Sequence, residues 1–274
     1  MDKEQFFISL LESKKIGDDG AVFGDFIYSS DMFCEGVHFR REWLSLYQIA
    51  RKSMLVNISD AVAMNAKVEA GLLSLQLPRA FSKDELIELR DGFEDCAREF
   101  GFEIIGGDTI GGRELNISIT LISKSQNPLT RYGLSGGELL AYTGELGSVL
   151  EDLERLFKSQ SIDEDSKFLE PTLRGDFIAK ARDYLVAGMD ISDGLFCDTN
   201  KLLDANQIGL EILKDIPQNV GESGEEYEML IAFREENLEK ILETSSATST
   251  PITIFAKASK DNDFRFSGCR SYHF

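Results

Sequence analysis

Aspartates recur along this chain where an ordinary surface role does not account for them. Asp18 and Asp19 fall in IGDDGAV, Asp31 in YSSDMF, Asp60 in LVNISDAVAM, Asp108 in IIGGDT, and Asp190 with Asp193 in GMDISDGL, several between apolar residues. An ionised carboxylate is costly to bury without a cation, an Arg or Lys partner, or several N–H donors. Each taken singly has a structural use: GDDG as a turn, SSD and DISD as helix N-caps, Asp60 as the ion-pair partner of Arg51 or Lys52. As a set they point elsewhere. Hard cations such as Mg²⁺ take oxygen ligands, and carboxylates gathered from strand ends and helix starts supply them. His38 and His273 are the only histidines, which leaves little for a zinc site or for imidazole bases. Cys34, Cys96, Cys197 and Cys269 lie far apart with no C-x-x-C and read as reduced, mostly buried thiols.

IIGGDT places Gly106, Gly107 and Asp108 at the end of what reads as a buried strand. Bare glycines let a backbone approach a phosphate closely, and an aspartate there could hold a metal that bridges phosphate oxygens. The chain has no G-x-x-x-x-G-K-[ST], no G-x-G-x-x-G, and no protein-kinase H-R-D or D-F-G. On spacing alone the segment stays open between a turn and a nucleotide–metal contact.

The elements that would position these groups follow from periodicity. A helix is expected over 3–13, a strand over 25–31 followed by loop to Arg41, and a long helix in WLSLYQIARKSMLVNISDAVAMNA, where Tyr47, Ala50, Met54, Ile58 and Ala61 share a face. VEAGLLSLQLP is strand-like. Ser82 with Glu85 forms a capping box that opens a helix over 83–100, which Gly101 ends. FEIIGG and ELNISITLIS read as strands. SQNPLTRYGLSGG (125–137) is rich in turn formers and marks the domain junction, dividing the chain into 1–128 and 129–274. The second half reads as strand ELLAYTG, helices near 146–158 and 174–186, a strand into GMDISD, a helix from Leu195, strands near 208–213 and 227–233, a helix near 235–244, and strand ITIFAKA.

The formal charge of −19 in 274 residues argues against nucleic acid and anionic membrane surfaces as partners. No apolar run approaches the roughly 20 residues of a membrane helix, and the amphipathic start is not a signal sequence, so a cytoplasmic protein is expected. A small anionic ligand would need cations to cover the carboxylates.

The ordered series GDDGAV, SSDMFCEGVHF, LVNISDAVAM, IIGGDT, LTRYG, MDISDGL and GEEYE resembles the thiamine-monophosphate kinase family, one of the aminoimidazole ribonucleotide synthetase-like ATP-dependent enzymes. The likeness runs from about residue 16 to the closing GCRSYHF. It implies an α/β fold (α+β mixed sheets) of two domains, the N-terminal one binding ATP and Mg²⁺ and dimerising, the C-terminal one completing the active site. It also implies transfer of the ATP γ-phosphoryl to thiamine monophosphate. By motif match, Asp19, Ser29, Ser30, Asp31, Asp60, Asp108, Asp190 and Asp193 would hold several Mg²⁺ ions, with Asp60, Asp108 and Asp193 central to turnover. Gly107, Asp108, Arg131 and Ser192 would face ATP, and His38, Glu225 and Tyr272 the substrate. The chain departs from the family pattern in GEEYE for GEDYE, SSD for STD, LGSV where GDS is expected, and EP at Glu170–Pro171 for Arg-Pro.

The reaction so implied suits two histidines. A phosphate acceptor has its second ionisation near pH 6, so at neutral pH no base is needed to free the attacking oxygen. Direct in-line transfer between two anions brought together by metal is the expected chemistry. The alternatives are another enzyme of the superfamily, acting on a formylglycinamidine ribonucleotide, selenide or a carbamoylated thiol, or a non-catalytic nucleotide or thiamine-phosphate sensor. The first Cys is Cys34 and the chain ends SYHF, without the reactive N-terminal Cys or Cys tail that two of those enzymes use.

Overall fold

The computed structural model describes residues 3–267 and 269. Its first half runs α1 (Lys3–Ser9), β1 (Ala21–Phe23), β2 (Phe26–Cys34), α2 (Leu46–Ala63), β3 (Lys67–Pro78), α3 (Lys83–Phe100), β4 (Glu103–Gly112) and β5 (Asn116–Lys124). The strands form one sheet in the order β1-β2-β5-β3-β4, antiparallel except for the parallel pair β3–β4. In β2 and β5 inward residues alternate with outward ones. Ile27, Ser29 and Phe33 are buried, as are Ile117, Ile119 and Leu121, whereas Tyr28, Ser30 and Met32 face out. Helices α2 and α3 cover the inner face.

Both helices start as their sequences dictate. Ser82 and Glu85 form the expected capping box, and Ser45 with Gln48 forms a second, so reciprocal bonds satisfy N–H groups at each start. Gly101 ends α3 in the left-handed region at φ 73°. Helix α2 is buried nearly all round, including the polar Lys52, Ser53, Asn57 and Ser59. Such a helix is flanked by protein on several sides.

The second half runs β6 (Leu139–Thr143), α4 (Ser148–Phe157), α5 (Gly175–Ala181), β7 (Leu185–Asp190), α6 (Leu195–Asn206), β8 (Gly209–Ile212), α7 (Gln218–Gly221), β9 (Met229–Phe233), α8 (Leu238–Ala247) and β10 (Ile252–Ser259). Its sheet has the order β7-β9-β6-β10-β8, every neighbour antiparallel. Residues of α6 (Leu195, Leu202, Leu203) pack in one core cluster and those of α5 and α8 (Phe177, Ile178, Ile241) in another. The segment 125–138 joins the two sheets. No described helix is long and apolar enough to cross a membrane.

Several boundaries differ from the sequence reading. Strand β2 continues through Met32 and Phe33 to Cys34, where loop was expected, because the alternation of inward and outward residues persists. The helix expected over 174–186 ends at Ala181, passes through a 3₁₀ turn at Arg182–Tyr184 and gives way to β7. The largest correction concerns IIGGDT. It lies within β4, not at a strand end, and β4 is an exposed edge strand, not a buried one. Gly107 has φ +145°, and a Cβ there would lie 1.7 Å from the Leu73 carbonyl oxygen. The bare backbone is thus needed for β4 to pair with β3 across the register shift between Gly71 and Leu72.

Candidate active site

Three aspartates far apart in sequence meet where the halves join. Asp19 is on the loop before β1, Asp60 on the last turns of α2, and Asp190 is the final residue of β7. Each offers a carboxylate oxygen within 4.8 Å of the others. Asp31, on the inward face of β2, lies near enough to act electrostatically on Asp60. Its backbone N–H donates to Asn57 Oδ1 at 3.1 Å, which ties β2 to α2.

The surroundings show what this costs. Burial first, then Asp31, Asp190 and Asp19, push the Asp60 carboxyl well above the usual range, with Arg131 opposing. Burial and Asp19 do the same to Asp190, which is 3 % exposed, although the Ser59 hydroxyl donates to it at 2.6 Å. Asp18 rises to about 6, by burial and by Asp19. Among the described residues one guanidinium, that of Arg131, serves the cluster: it bonds Asp19, and the Arg131 backbone N–H donates to Asp18 at 3.3 Å. A single cation does not neutralise four or five carboxylates, and desolvated like charges at this spacing favour proton uptake or a bound cation.

An unsatisfied acceptor in the cluster favours the cation. Among the described residues, Asp19 Oδ2 is buried with no hydrogen-bond partner, as is Ser29 Oγ on the inward face of β2. A buried acceptor left unpaired costs about 1–3 kcal/mol, more for a charged group. An all-oxygen set of carboxylates and a hydroxyl is the donor chemistry of Mg²⁺.

The structure leaves other expected ligands outside this cluster. Ser30 faces the outer side of the sheet, its Oγ 2.9 Å from Thr120 Oγ1. Asp193 is paired with Lys201 at 2.5 Å, and Lys201 also holds the buried Asp198 at 2.8 Å. Asp108 is exposed on β4 and accepts a bond from the Thr109 N–H at 2.8 Å. The Asp60 partners suggested by sequence are taken elsewhere: Arg51 binds Glu99 and Glu170, and Lys52 binds Glu225. Ser192 sits in the loop after β7, where its carbonyl accepts from the Glu225 N–H at 2.7 Å.

His38 and Glu225, widely separated in sequence, are connected through Phe33 and Lys52. The His38 ring stacks on Phe33 with centroids 5.2 Å apart, and its Nδ1 accepts the Cys34 N–H at 3.0 Å. Lys52 Nζ lies 5.9 Å from the same Phe33 ring and 2.6 Å from Glu225 Oε2. Tyr272 lies outside the described residues. The sequence reading missed the roles of Asn57, Ser59 and Lys201, and it named Lys52 only as a partner for Asp60. Lys52, Asn57 and Ser59 carried a signal, since polar residues on every side of a helix otherwise rich in apolar ones imply buried partners.

Two departures from the family pattern meet in space. Glu226 of GEEYE is fully buried and accepts from Gly147 N–H at 2.6 Å, Ser223 Oγ at 2.6 Å and Lys167 Nζ at 2.8 Å. Gly147 is the residue of LGSV that opens α4. A carboxylate at that helix start is favoured by the unpaired N–H groups there.

Two family models match adjoining segments of the chain. Residues 17–124 match the AIR synthase related protein, N-terminal domain, and residues 123–259 its C-terminal domain. The thiamine-monophosphate kinase of Leptospira interrogans is 32% identical over 80% of this chain and 78% of its own length. The chain belongs to the thiamine-monophosphate kinase family. Among solved structures, thiamine monophosphate kinase from Aquifex aeolicus superposes with a TM-score of 0.81 at 25% identity, covering 94% of this chain and 96% of that one. A second structure, AaThiL complexed with AMPPCP and TMP, gives 0.83 at 24% identity, with 94% and 89% covered.

Proposed function

We propose that this chain is an ATP-dependent kinase that phosphorylates thiamine monophosphate to thiamine diphosphate in the cytoplasm, by direct in-line transfer. The observation that carries the reading is the convergence of Asp19, Asp60 and Asp190 from both halves, with Asp19 Oδ2 buried and unpartnered. Asp19, Ser29, Asp31, Asp60 and Asp190 would hold Mg²⁺. When bound, the metal neutralises charge on ATP oxygens and on the transferring group.

The protein's own part is positional. Arg131, fixed by Asp18 and Asp19, adds a permanent cation beside the carboxylates. Gly107, Asp108 and Ser192 complete the nucleotide side, and His38, Glu225 and Tyr272 the acceptor side. Ser30, Asp108 and Asp193 join the several-ion shell on the strength of motif order, since their side chains stand apart from the central cluster in one protomer. No base is assigned, because the acceptor phosphate is already ionised at neutral pH.

A homodimer is part of the proposal. Among the described residues the outer face of the first sheet carries no helix, and the sheet exposes Tyr28, Met32, Leu72, Ile105 and Ile110, an apolar surface of the kind a second copy would cover.

A coupled ADP-release assay with Mg²⁺ tests the function. Release should require thiamine monophosphate and stay at background with thiamine or with no acceptor. Release indifferent to the acceptor would refute it.

A further inference from the structure

Lys52 is the buried cation of α2. Its side chain is 0% exposed, and its ammonium is 2.6 Å from Glu225 Oε2, whose side chain is 25% exposed. The ammonium lies 3.6 Å from the centroid of Phe168 and 5.9 Å from that of Phe33, so aromatic faces supply much of its remaining environment. A buried ion pair contributes little net stability compared with an apolar pair, because desolvation offsets the attraction. Its place in the fold is better explained by what it orients.

Glu225 is held from two directions. Its backbone is in the left-handed region at φ 54°, as is that of Tyr227 at φ 51°, conformations that non-glycine residues keep only when neighbours enforce them. The Glu225 N–H is bound by the Ser192 carbonyl, two residues beyond Asp190. Its carboxylate is bound by Lys52, two turns of helix before Asp60. The residue is therefore tied at one end to the loop that follows the aspartate cluster and at the other to the helix that carries it. Lys52 also abuts Phe33, on which His38 stacks.

We propose that Lys52 is the positioning residue of the acceptor pocket, holding the Glu225 carboxylate in place and setting it against the Phe33–His38 pair. This rests on the reading of Glu225 and His38 as the acceptor side. The ammonium takes one carboxylate oxygen and leaves the group a quarter exposed, anchored in direction and in charge. The acceptor it serves is an aromatic cation bearing a phosphate monoester. Lys52 itself touches neither reactant.

The test is steady-state kinetics of Lys52→Met, Glu225→Gln and the double variant, varying thiamine monophosphate and ATP separately. Lys52→Met should raise the acceptor KM by at least about tenfold, with kcat and the ATP KM within about twofold, and the double variant should be no worse than the poorer single one. Lys52→Gln, which keeps an N–H donor, should show the same split at smaller size. Multiplying effects in the double variant, or a fall in kcat with the acceptor KM unchanged, would overturn the proposal. So would failure of both Lys52 variants to fold while Glu225→Gln folds, which would make Lys52 a structural residue. Wild-type protein lacking acceptor-dependent ADP release would instead defeat the functional reading on which the proposal stands.

Discussion

Replacing Asp60 by Asn should stabilise the metal-free protein and abolish its activity. Asp60 has carboxylate oxygens of Asp19 and Asp190 within 4.8 Å. Two unit charges at that distance repel by about 3.5 kcal/mol at an effective dielectric of about 20. Arg131 offsets part of this, yet the direction of the Asp60 shift shows that burial and repulsion prevail. Subtracting about 1 kcal/mol for an imperfectly bonded amide leaves a net gain of about 1–3 kcal/mol, or about 2–9 °C in melting temperature. The pH dependence follows from linkage. Asp60 in the folded chain ionises well above its ordinary 3.8, so wild-type stability is greatest while the group is protonated in both states and falls as pH climbs from about 4 through the raised folded value. The variant lacks that loss, so its advantage should be largest near pH 8 and shrink towards pH 5. Saturating Mg²⁺ should reverse the order. Ligand at a hundred times its Kd stabilises by about 2.7 kcal/mol, and the wild type should collect most of that while the variant does not. Thermal melts in EDTA and in Mg²⁺ at both pH values, beside turnover reduced by orders of magnitude, make the assay. An Asp60→Asn protein that melts below the wild type in EDTA at pH 8, or equal Mg²⁺ shifts in the two proteins, would refute the reasoning.

Gly107→Ala should cost about 3 kcal/mol or more, because a Cβ at 1.7 Å from the Leu73 carbonyl oxygen cannot be accommodated without parting β4 from β3; urea unfolding within about 0.5 kcal/mol of wild type would contradict the close approach. Glu226→Asp, which restores the family's residue, should destabilise by about 1–2 kcal/mol. The shorter side chain cannot reach both Gly147 N–H and Lys167, now at 2.6 and 2.8 Å; an unchanged or higher melting temperature would show that the two departures are not matched.

The elements were largely legible because their periodicity and caps are local properties. Ser82, Glu85 and Gly101 define α3 at both ends, and the apolar stripe of Tyr47, Ala50, Met54 and Ile58 defines α2. The β4 edge was misread because IIGG is as apolar as a buried strand, and exposure depends on which strand lies beside it. The convergence of Asp19, Asp60 and Asp190 was legible only as an expectation, since no local spacing brings residues of three elements together. Ser30 illustrates the limit: it adjoins Ser29 and Asp31 in sequence, yet the period of two turns its side chain to the opposite face. Lys52 was named as a partner for Asp60 on proximity in sequence, but its ammonium instead reaches Glu225 in the other half.

Helix α2 explains how such a cluster is held against its own repulsion. Ile49, Met54, Leu55 and Ile58 pack in the same core cluster as Ile117 and Ile119 of β5 and as Val149, Leu156, Phe168 and Tyr227 of the second half. Ala63 and Val62, at the end of the same helix, pack with Phe177, Ile178 and Met229. One buried rod therefore belongs to the apolar packing of both halves, and it carries Lys52, Asn57, Ser59 and Asp60 in fixed relation. The cross-links it makes are polar, to Glu225, to the Asp31 backbone and to Asp190. Apolar burial scales with area and does not depend on the charge state of the aspartates. It can set the distances between carboxylates before any cation arrives, which is the preorganisation that positioning a polyphosphate requires.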